Sequence, residues 1–142
     1  EYITPIINDC FLQLKQSYID SGYDVDLNPQ MNLEVNLKPK RVEINITRFF
    51  KIQKGAEVTK LDKFDSLLPS PIYDFGRIAE EITNQEAEFC NFETGGYSLL
   101  YPDFDVRVSK LSDGIKIYRI NETFSAKELK FAVRSCVLAA GR

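Results

Sequence analysis

The fold is decided by residues 31–47, which read MNLEVNLKPKRVEINIT. Apolar residues alternate with polar ones on both sides of Pro39, and a period of two is typical of an antiparallel hairpin with one solvated face. The alternation breaks at Arg48, Phe49 and Phe50, where a charge falls on the side that should face the core. We expect either a β-bulge or a strand end at this point. The segment therefore predicts an antiparallel sheet as the framework of the chain.

Helices are predicted on both sides of this hairpin. Residues 4–20 and residues 70–89 carry apolar side chains at spacings of three and four, each behind a proline that suits a first helical turn. A weak strand between them and three strands after residue 96 complete the order α-β-β-(β)-α-β-β-β. Runs of strands are typical of an α+β domain. We therefore predict a single domain over residues 1–142, with two helices packed on one face of a mainly antiparallel sheet.

The same periodicities predict which side chains face the core and which face water. The residues expected to be buried are Ile6, Leu14, Leu33, Val35, Ile44, Phe75, Ile82, Val106, Ile117, Phe131 and Val133. The second helix should turn its carboxylates to solvent, and these are Asp74, Glu80, Glu81, Glu86 and Glu88.

Composition narrows the classes of function. Hydrophobic residues make up 44% and charged residues 27% of the 142 residues, which is typical of a globular chain. A net charge of −3 lacks the positive excess that is typical of nucleic-acid-binding proteins. No apolar run approaches the roughly 20 residues that span a bilayer. Without histidine there is no imidazole base or imidazole metal ligand. We expect no enzyme activity, no cofactor and no nucleic-acid partner, and we expect the chain to be a segment of a longer one because it begins at Glu1.

A basic face is predicted on the last three strands. Arg107, Lys116, Lys130 and Arg134 fall on the polar side of their strands, with Tyr118 between them. If these strands are neighbours, the four cations converge and would favour an anionic partner. The alternative is a solvated sheet face, because surface charge often serves only solubility.

Two further carboxylates carry a weaker hypothesis. Asp103 and Asp105 lie on one side of a strand, as an acid–base pair or a hard cation would need. No calcium-loop pattern accompanies them, and a solvated strand start beside Pro102 explains them equally well. An enzyme that uses this pair is therefore the weakest of our interpretations.

Cysteines and glycosylation sequons bear on the compartment. Cys10 lies on an apolar helical stripe, where a buried free thiol is common. Cys90 and Cys136 lie at element ends, which suits a disulfide in an oxidising compartment, and this pairing is slightly preferred to one that involves Cys10. Asn45 and Asn121 each begin an Asn-X-Thr sequon and are candidate glycosylation sites.

Several short motifs occur in a familiar order along most of the chain. They are ITPIINDC (3–10), SGY (21–23), VEINIT (42–47), IQKG (52–55), LP (68–69), YDFGRIAEEI (73–82) and FAVR (131–134). Together they resemble the distal part of a family of uncharacterised archaeal proteins that have an N-terminal hydrophobic, pilin-like anchor and an extracytoplasmic domain. The resemblance implies export, surface exposure and a membrane-tethered parent chain. No activity is established for that family, so it assigns no functional residue here.

Two hypotheses of function remain. The first is a non-enzymatic extracytoplasmic domain that contributes to a cell-surface structure or to an interaction with a protein or another envelope component. The second is a binding module that uses the basic face for an acidic ligand or protein. The sequence leaves the specific partner and the oligomeric state open.

Overall fold

A computed structural model describes residues 2–111 and 114–134. Within these residues it has three α-helices and seven β-strands in two antiparallel sheets. The chain divides into two compact units, Glu1–Pro69 and Ser70–Arg142, and each unit holds one of the sheets. The predicted α+β class and antiparallel pairing are confirmed, although the strands are shared between two sheets rather than one. That the whole chain acts as a single domain stays a prediction.

The first unit is organised around one long strand. Its elements are α1 (Ile3–Asp20), β1 (Asp24–Leu27), β2 (Asn32–Lys38), β3 (Arg41–Lys54) and β4 (Glu57–Pro69). β3 pairs with β4 along one edge and with β2 and then β1 along the other. The predicted hairpin is confirmed, since β2 and β3 pair from Lys38 opposite Arg41 up to Asn32 opposite Thr47.

The predicted interruption of β3 is a β-bulge. The register of β3 against β4 shifts within residues 47–50. The shift lets Arg48 point inward, where it is only 3% exposed. Its Nε donates to the Asn28 carbonyl oxygen at 2.8 Å, its Nη1 donates to Asn8 Oδ1 at 3.0 Å, and its guanidinium lies 5.0 Å from the Phe11 ring centroid. Burial lowers the pKa of Arg48.

The core of the first unit lies where β1 pairs with β3, and it differs in part from the prediction. Its buried residues are Phe11, Val25 and Phe50, with Ile7 and Tyr18 of α1 packed against them. Helix α1 therefore buries a different side from the predicted one. Three residues that were expected to be buried are exposed, namely Ile6, Leu14 and Val35. Leu33 and Ile44 are half-buried.

The second unit places two helices and a three-stranded sheet in sequence. Its elements are α2 (Ile72–Phe89), α3 (Thr94–Leu100), β5 (Phe104–Lys110), β6 (Ile115–Glu122) and β7 (Glu128–Arg134), with β6 at the centre of the sheet. Helix α3 was not predicted, because Gly95 and Gly96 in its first turn favoured a simple break. Glu93 is the N-cap residue of α3, because its carboxylate accepts a hydrogen bond from the Gly95 backbone N–H at 3.1 Å.

The core of this unit is larger and matches the sequence better. Three predicted residues, Phe75, Ile82 and Val106, are buried, and Phe131 and Val133 are half-buried against the same cluster. The remaining buried members are Ile78, Phe92, Phe104, Tyr118 and Ile120. The last two come from β6, and they show that this strand faces the core with the side chains that were expected to face water.

Candidate functional site

The central strand β6 has the opposite orientation to the predicted one. Lys116, Tyr118 and Ile120 are buried at 8%, 1% and 0% exposure, whereas Ile117 between them lies on the outer face. The prediction that Ile117 is a core residue is therefore wrong. The prediction that Lys116 and Tyr118 belong to a solvated basic face is also wrong.

Lys116 is buried because α2 supplies a carboxylate to it. Its Nζ donates to both carboxylate oxygens of Glu86 at 2.8 Å and to the Cys90 carbonyl oxygen at 2.8 Å. These bonds use all three N–H donors of the ammonium group. Glu86 is 1% exposed, so the prediction that it faces solvent is wrong as well. The paired charges are fully hydrogen-bonded, which is the condition for burying them.

Tyr118 completes this buried network. Its hydroxyl donates to Glu86 Oε1, and its ring stacks on Phe131 with centroids 5.8 Å apart. Burial, and then the hydrogen bond and negative charge of Glu86, raise the pKa of Tyr118 well above its ordinary value of 10.0. The hydroxyl therefore stays a donor, and the network is a structural element of the core.

The outer face of the same sheet carries the basic cluster. Arg107 lies directly opposite Arg119, and Arg119 lies directly opposite Lys130, so three cations form one row across β5, β6 and β7. Arg134 lies on the same face, opposite Ile115 at the end of the sheet. We call Arg107, Arg119 and Lys130 the basic row.

The basic row keeps an excess of positive charge. Asp105 accepts from Arg107 Nε at 2.7 Å, and Glu128 pairs with Arg119 at 3.2 Å. The side chains of both pairs are exposed to solvent, so the pairs contribute little to stability. Lys130 has no carboxylate partner among residues 2–111 and 114–134. Like charges placed directly opposite one another on a sheet repel.

A shallow pocket of about 160 Å³ lies over the basic row. It is lined by the three cations together with Ser109 and Ile117. Its volume corresponds to about five water molecules at roughly 30 Å³ each. The pocket is therefore large enough for a single sulfate, phosphate or carboxylate group.

The structure brings together three of the four predicted cations and adds one that was missed. Arg107, Lys130 and Arg134 share the outer face, and Lys116 is separated from them by the sheet. The missed residue is Arg119. The pattern of β6 alone carried no signal for it, because each side of the strand has two polar residues, Arg119 and Asn121 on one side and Lys116 and Glu122 on the other.

Asp103 and Asp105, the second predicted pair, both make contacts within the second unit. Asp105 is engaged with Arg107, and the Asp103 carbonyl oxygen accepts hydrogen bonds from the backbone N–H and the hydroxyl of Thr123. In the described part of the chain, no group of three or more histidine, cysteine or acidic residues could hold a metal ion.

The residues that bear on the compartment are placed as follows. Cys10 is a free, exposed thiol, so its predicted burial on α1 is wrong. Cys90 ends α2 in a left-handed conformation with φ of 56°. Cys136 lies outside the described residues, and the Cys90–Cys136 disulfide stays a prediction. Asn45 is half-buried within β3, and Asn121 is half-buried in β6 beside the basic row.

No protein-family model, curated protein or solved structure matches this chain. None of the described helices is long and apolar enough to cross a membrane.

Proposed function

We propose that this chain is a non-enzymatic interaction domain, and that its second unit binds an acidic ligand or protein on the outer face of β5, β6 and β7. The single observation that supports the proposal most is the register that places Arg107 opposite Arg119 and Arg119 opposite Lys130. Folding brings these charges together although like charges repel across a sheet. An anionic group bound over the row would relieve that repulsion.

The ligand chemistry follows from the donors. Guanidinium groups present several N–H donors in a rigid plane that matches sulfate, phosphate and carboxylate oxygens. Lys130 adds a mobile cation, and the Ser109 hydroxyl adds a neutral donor beside the pocket. The apolar contact with Ile117 suits a ligand that also carries a hydrocarbon surface. These features favour an anionic group on a polymer or a protein over a free ion.

We also propose that the domain functions outside the cytoplasm, as part of the surface of the cell that makes it. This part of the proposal is supported by the sequence, namely the motifs that resemble anchored archaeal proteins, the two sequons, and the positions of Cys90 and Cys136, which suit a disulfide. Acidic glycans and acidic proteins are abundant partners at a cell surface, which fits a basic binding face.

The test of the binding proposal is to neutralise part of the basic row. We expect the protein to bind dextran sulfate more tightly than uncharged dextran. The double variant Arg119→Gln with Lys130→Gln should bind at least about tenfold more weakly. The slope of log affinity against log salt should also become shallower by about two, roughly one for each cation removed. Surface plasmon resonance at several salt concentrations measures both quantities, and poly-glutamate in the same assay shows whether a protein carboxylate is preferred.

A matched control is available in the first unit. Lys60 and Lys63 are exposed lysines of β4, so Lys60→Gln with Lys63→Gln removes the same charge from another surface. This variant should keep most of the affinity for dextran sulfate. Equal losses in both variants would show that only net charge matters, and the proposed site would then be rejected.

A further inference from the structure

A second concave site lies in the same unit and has the opposite character. A groove of about 560 Å³ runs along α2 and reaches α3 and the start of β5. Three tyrosines and four charged residues contribute to its lining. They are Tyr73, Tyr97, Tyr101, Asp74, Arg77, Glu80 and Glu81. The proposed anion site does not use any of them.

The aromatic part of the groove is built by α3. Tyr97 lies in α3 and Tyr101 directly follows the helix, and their ring centroids are 4.6 Å apart at an interplanar angle of 34°. Tyr97 is held from behind by Phe92, at 5.3 Å between centroids. Tyr101 keeps 50% of its surface exposed. The exposed Tyr101 ring, which packs on Tyr97, therefore offers an aromatic face to a ligand.

The charged part of the groove is negative. Three carboxylates, from Asp74, Glu80 and Glu81, line the groove together with Arg77, which pairs with Glu80 at 3.3 Å, and Glu81 accepts a hydrogen bond from Gln85 Nε2 at 3.3 Å. The groove therefore has a formal charge of about −2. Burial, and next the negative charge of Glu81, raise the pKa of Tyr97 to about 12, which fits a negative surrounding.

We infer that this groove binds a guanidinium group, either of a small molecule or of an arginine side chain. A guanidinium stacks on an aromatic face and donates in its own plane to carboxylates, and the groove offers both at once. The chain makes the first of these contacts itself in its other unit, where Arg48 lies 5.0 Å from the centroid of the Phe11 ring. A neutral ligand of the same shape would gain neither the cation–π attraction nor the charge-assisted hydrogen bonds.

The experiment compares arginine with its neutral isostere. N-acetyl-arginine methylamide and N-acetyl-citrulline methylamide are titrated into the whole chain, and the NMR signals of the Tyr97 and Tyr101 rings are followed. We expect saturable shifts with the arginine compound and at least about fivefold weaker binding of the citrulline compound. Equal binding of the two compounds, or no shift with either, would overturn the inference.

Variants locate the binding within the groove. Glu81→Gln and Tyr101→Leu should each weaken binding about two- to fivefold, the range of an exposed cation–π contact or ion pair. Arg77→Ala should tighten binding, since it removes the competing cation. Glu88→Gln on the exposed part of α2 is the matched control and should have no effect. If Glu88→Gln weakens binding as much as Glu81→Gln, the general charge of the protein is responsible and the site is rejected.

A third titration distinguishes the two possible ligands, a small guanidinium molecule and an arginine side chain of a protein. A Gly-Arg-Gly peptide that binds more tightly than the single residue would indicate a side chain within a protein, whereas equal affinity would indicate that the guanidinium group alone is recognised. The variant Arg119→Gln with Lys130→Gln should leave every one of these affinities unchanged. Loss of the anion site and loss of this groove are thus independent results.

Discussion

The two faces of the β5-β6-β7 sheet treat positive charge in opposite ways. On the inner face, Lys116 is 8% exposed and donates three hydrogen bonds of 2.8 Å, two of them to Glu86. On the outer face, Lys130 lies in solvent beside Arg119. Removing a charge from the inner face leaves its partner buried and unpaired, while removing one from the outer face relieves a repulsion. Stability should therefore depend on the inner face, and the proposed binding on the outer face.

The largest effect is expected from truncation of the buried carboxylate. Glu86→Ala leaves the Lys116 ammonium without its counter-charge and the Tyr118 hydroxyl without its acceptor, and it should lower the free energy of unfolding by about 3–5 kcal/mol. Urea unfolding followed by circular dichroism measures this loss. Glu88→Ala removes an exposed carboxylate from the same helix and should stay within about 0.5 kcal/mol of the parent protein.

A combined variant sharpens this result. Glu86→Leu, Lys116→Met and Tyr118→Phe together replace the network by apolar side chains of similar size, and such replacements are often neutral or stabilising. We expect the combined variant to recover most of the stability that Glu86→Ala loses. A combined variant as unstable as Glu86→Ala would show that the network is required for packing rather than for charge balance.

A smaller loss is expected at the other buried cation. Arg48 is bonded to neutral acceptors, the Asn28 carbonyl and the Asn8 amide oxygen, so its truncation leaves no unpaired buried charge. Arg48→Ala should therefore lower the free energy of unfolding by about 2–4 kcal/mol, which is less than Glu86→Ala. Arg48→Lys should recover only part of the loss, because an ammonium cannot reproduce the planar guanidinium. A larger loss for Arg48→Ala than for Glu86→Ala would contradict this ranking.

High pH should weaken the inner face through Tyr118. The pKa of Tyr118 is raised in the folded state above its ordinary value of 10.0, so the unfolded chain loses this proton first. The stabilisation from Tyr118 is complete below about pH 10 and is lost above it, by up to about 1.4 kcal/mol per pH unit. Tyr118→Phe should flatten this part of the profile of unfolding free energy against pH. Tyr2→Phe, at a tyrosine that is 88% exposed, should keep the parent profile.

The sequence predicted β2 and β3 of the first unit well, but it missed β1 and assigned β6 of the second unit the wrong orientation. The period of two fixed β2 and β3, and a charge on the core side at Arg48 correctly indicated the bulge. In β6, however, both parities contain apolar residues, and Ile115 and Ile117 favoured the wrong one. Lys116 was predicted to face solvent, because an argument from periodicity considers a charged residue without the partner that could bury it.

The buried pair was detectable only by considering two elements together. Glu86 follows Ile82 by four residues and Phe75 by eleven, so it lies on the buried stripe of α2. Lys116 shares a side of β6 with Ile120. Each charge looks unfavourable in the core when its own helix or strand is considered alone. The two charges neutralise each other only when the core-facing sides of α2 and β6 are considered together. The row on the outer face was missed in part for the same reason, since Arg119 joins it only when the parity of β6 is corrected.

The smallest expected effect is a change in stability that has opposite signs on the two faces of the sheet. Lys130→Glu places a carboxylate opposite Arg119, so a repulsive cross-strand pair becomes an attractive one, and stability should rise by about 0.2–1 kcal/mol. Lys116→Glu makes the same chemical change on the inner face, where it sets a second carboxylate against Glu86, and it should prevent stable folding. The gain from Lys130→Glu should shrink in 1 M salt, where the screening length falls to about 3 Å. Urea unfolding at low and high salt measures both variants, and a loss of more than about 1 kcal/mol for Lys130→Glu would show that the basic row contributes to the fold rather than to binding.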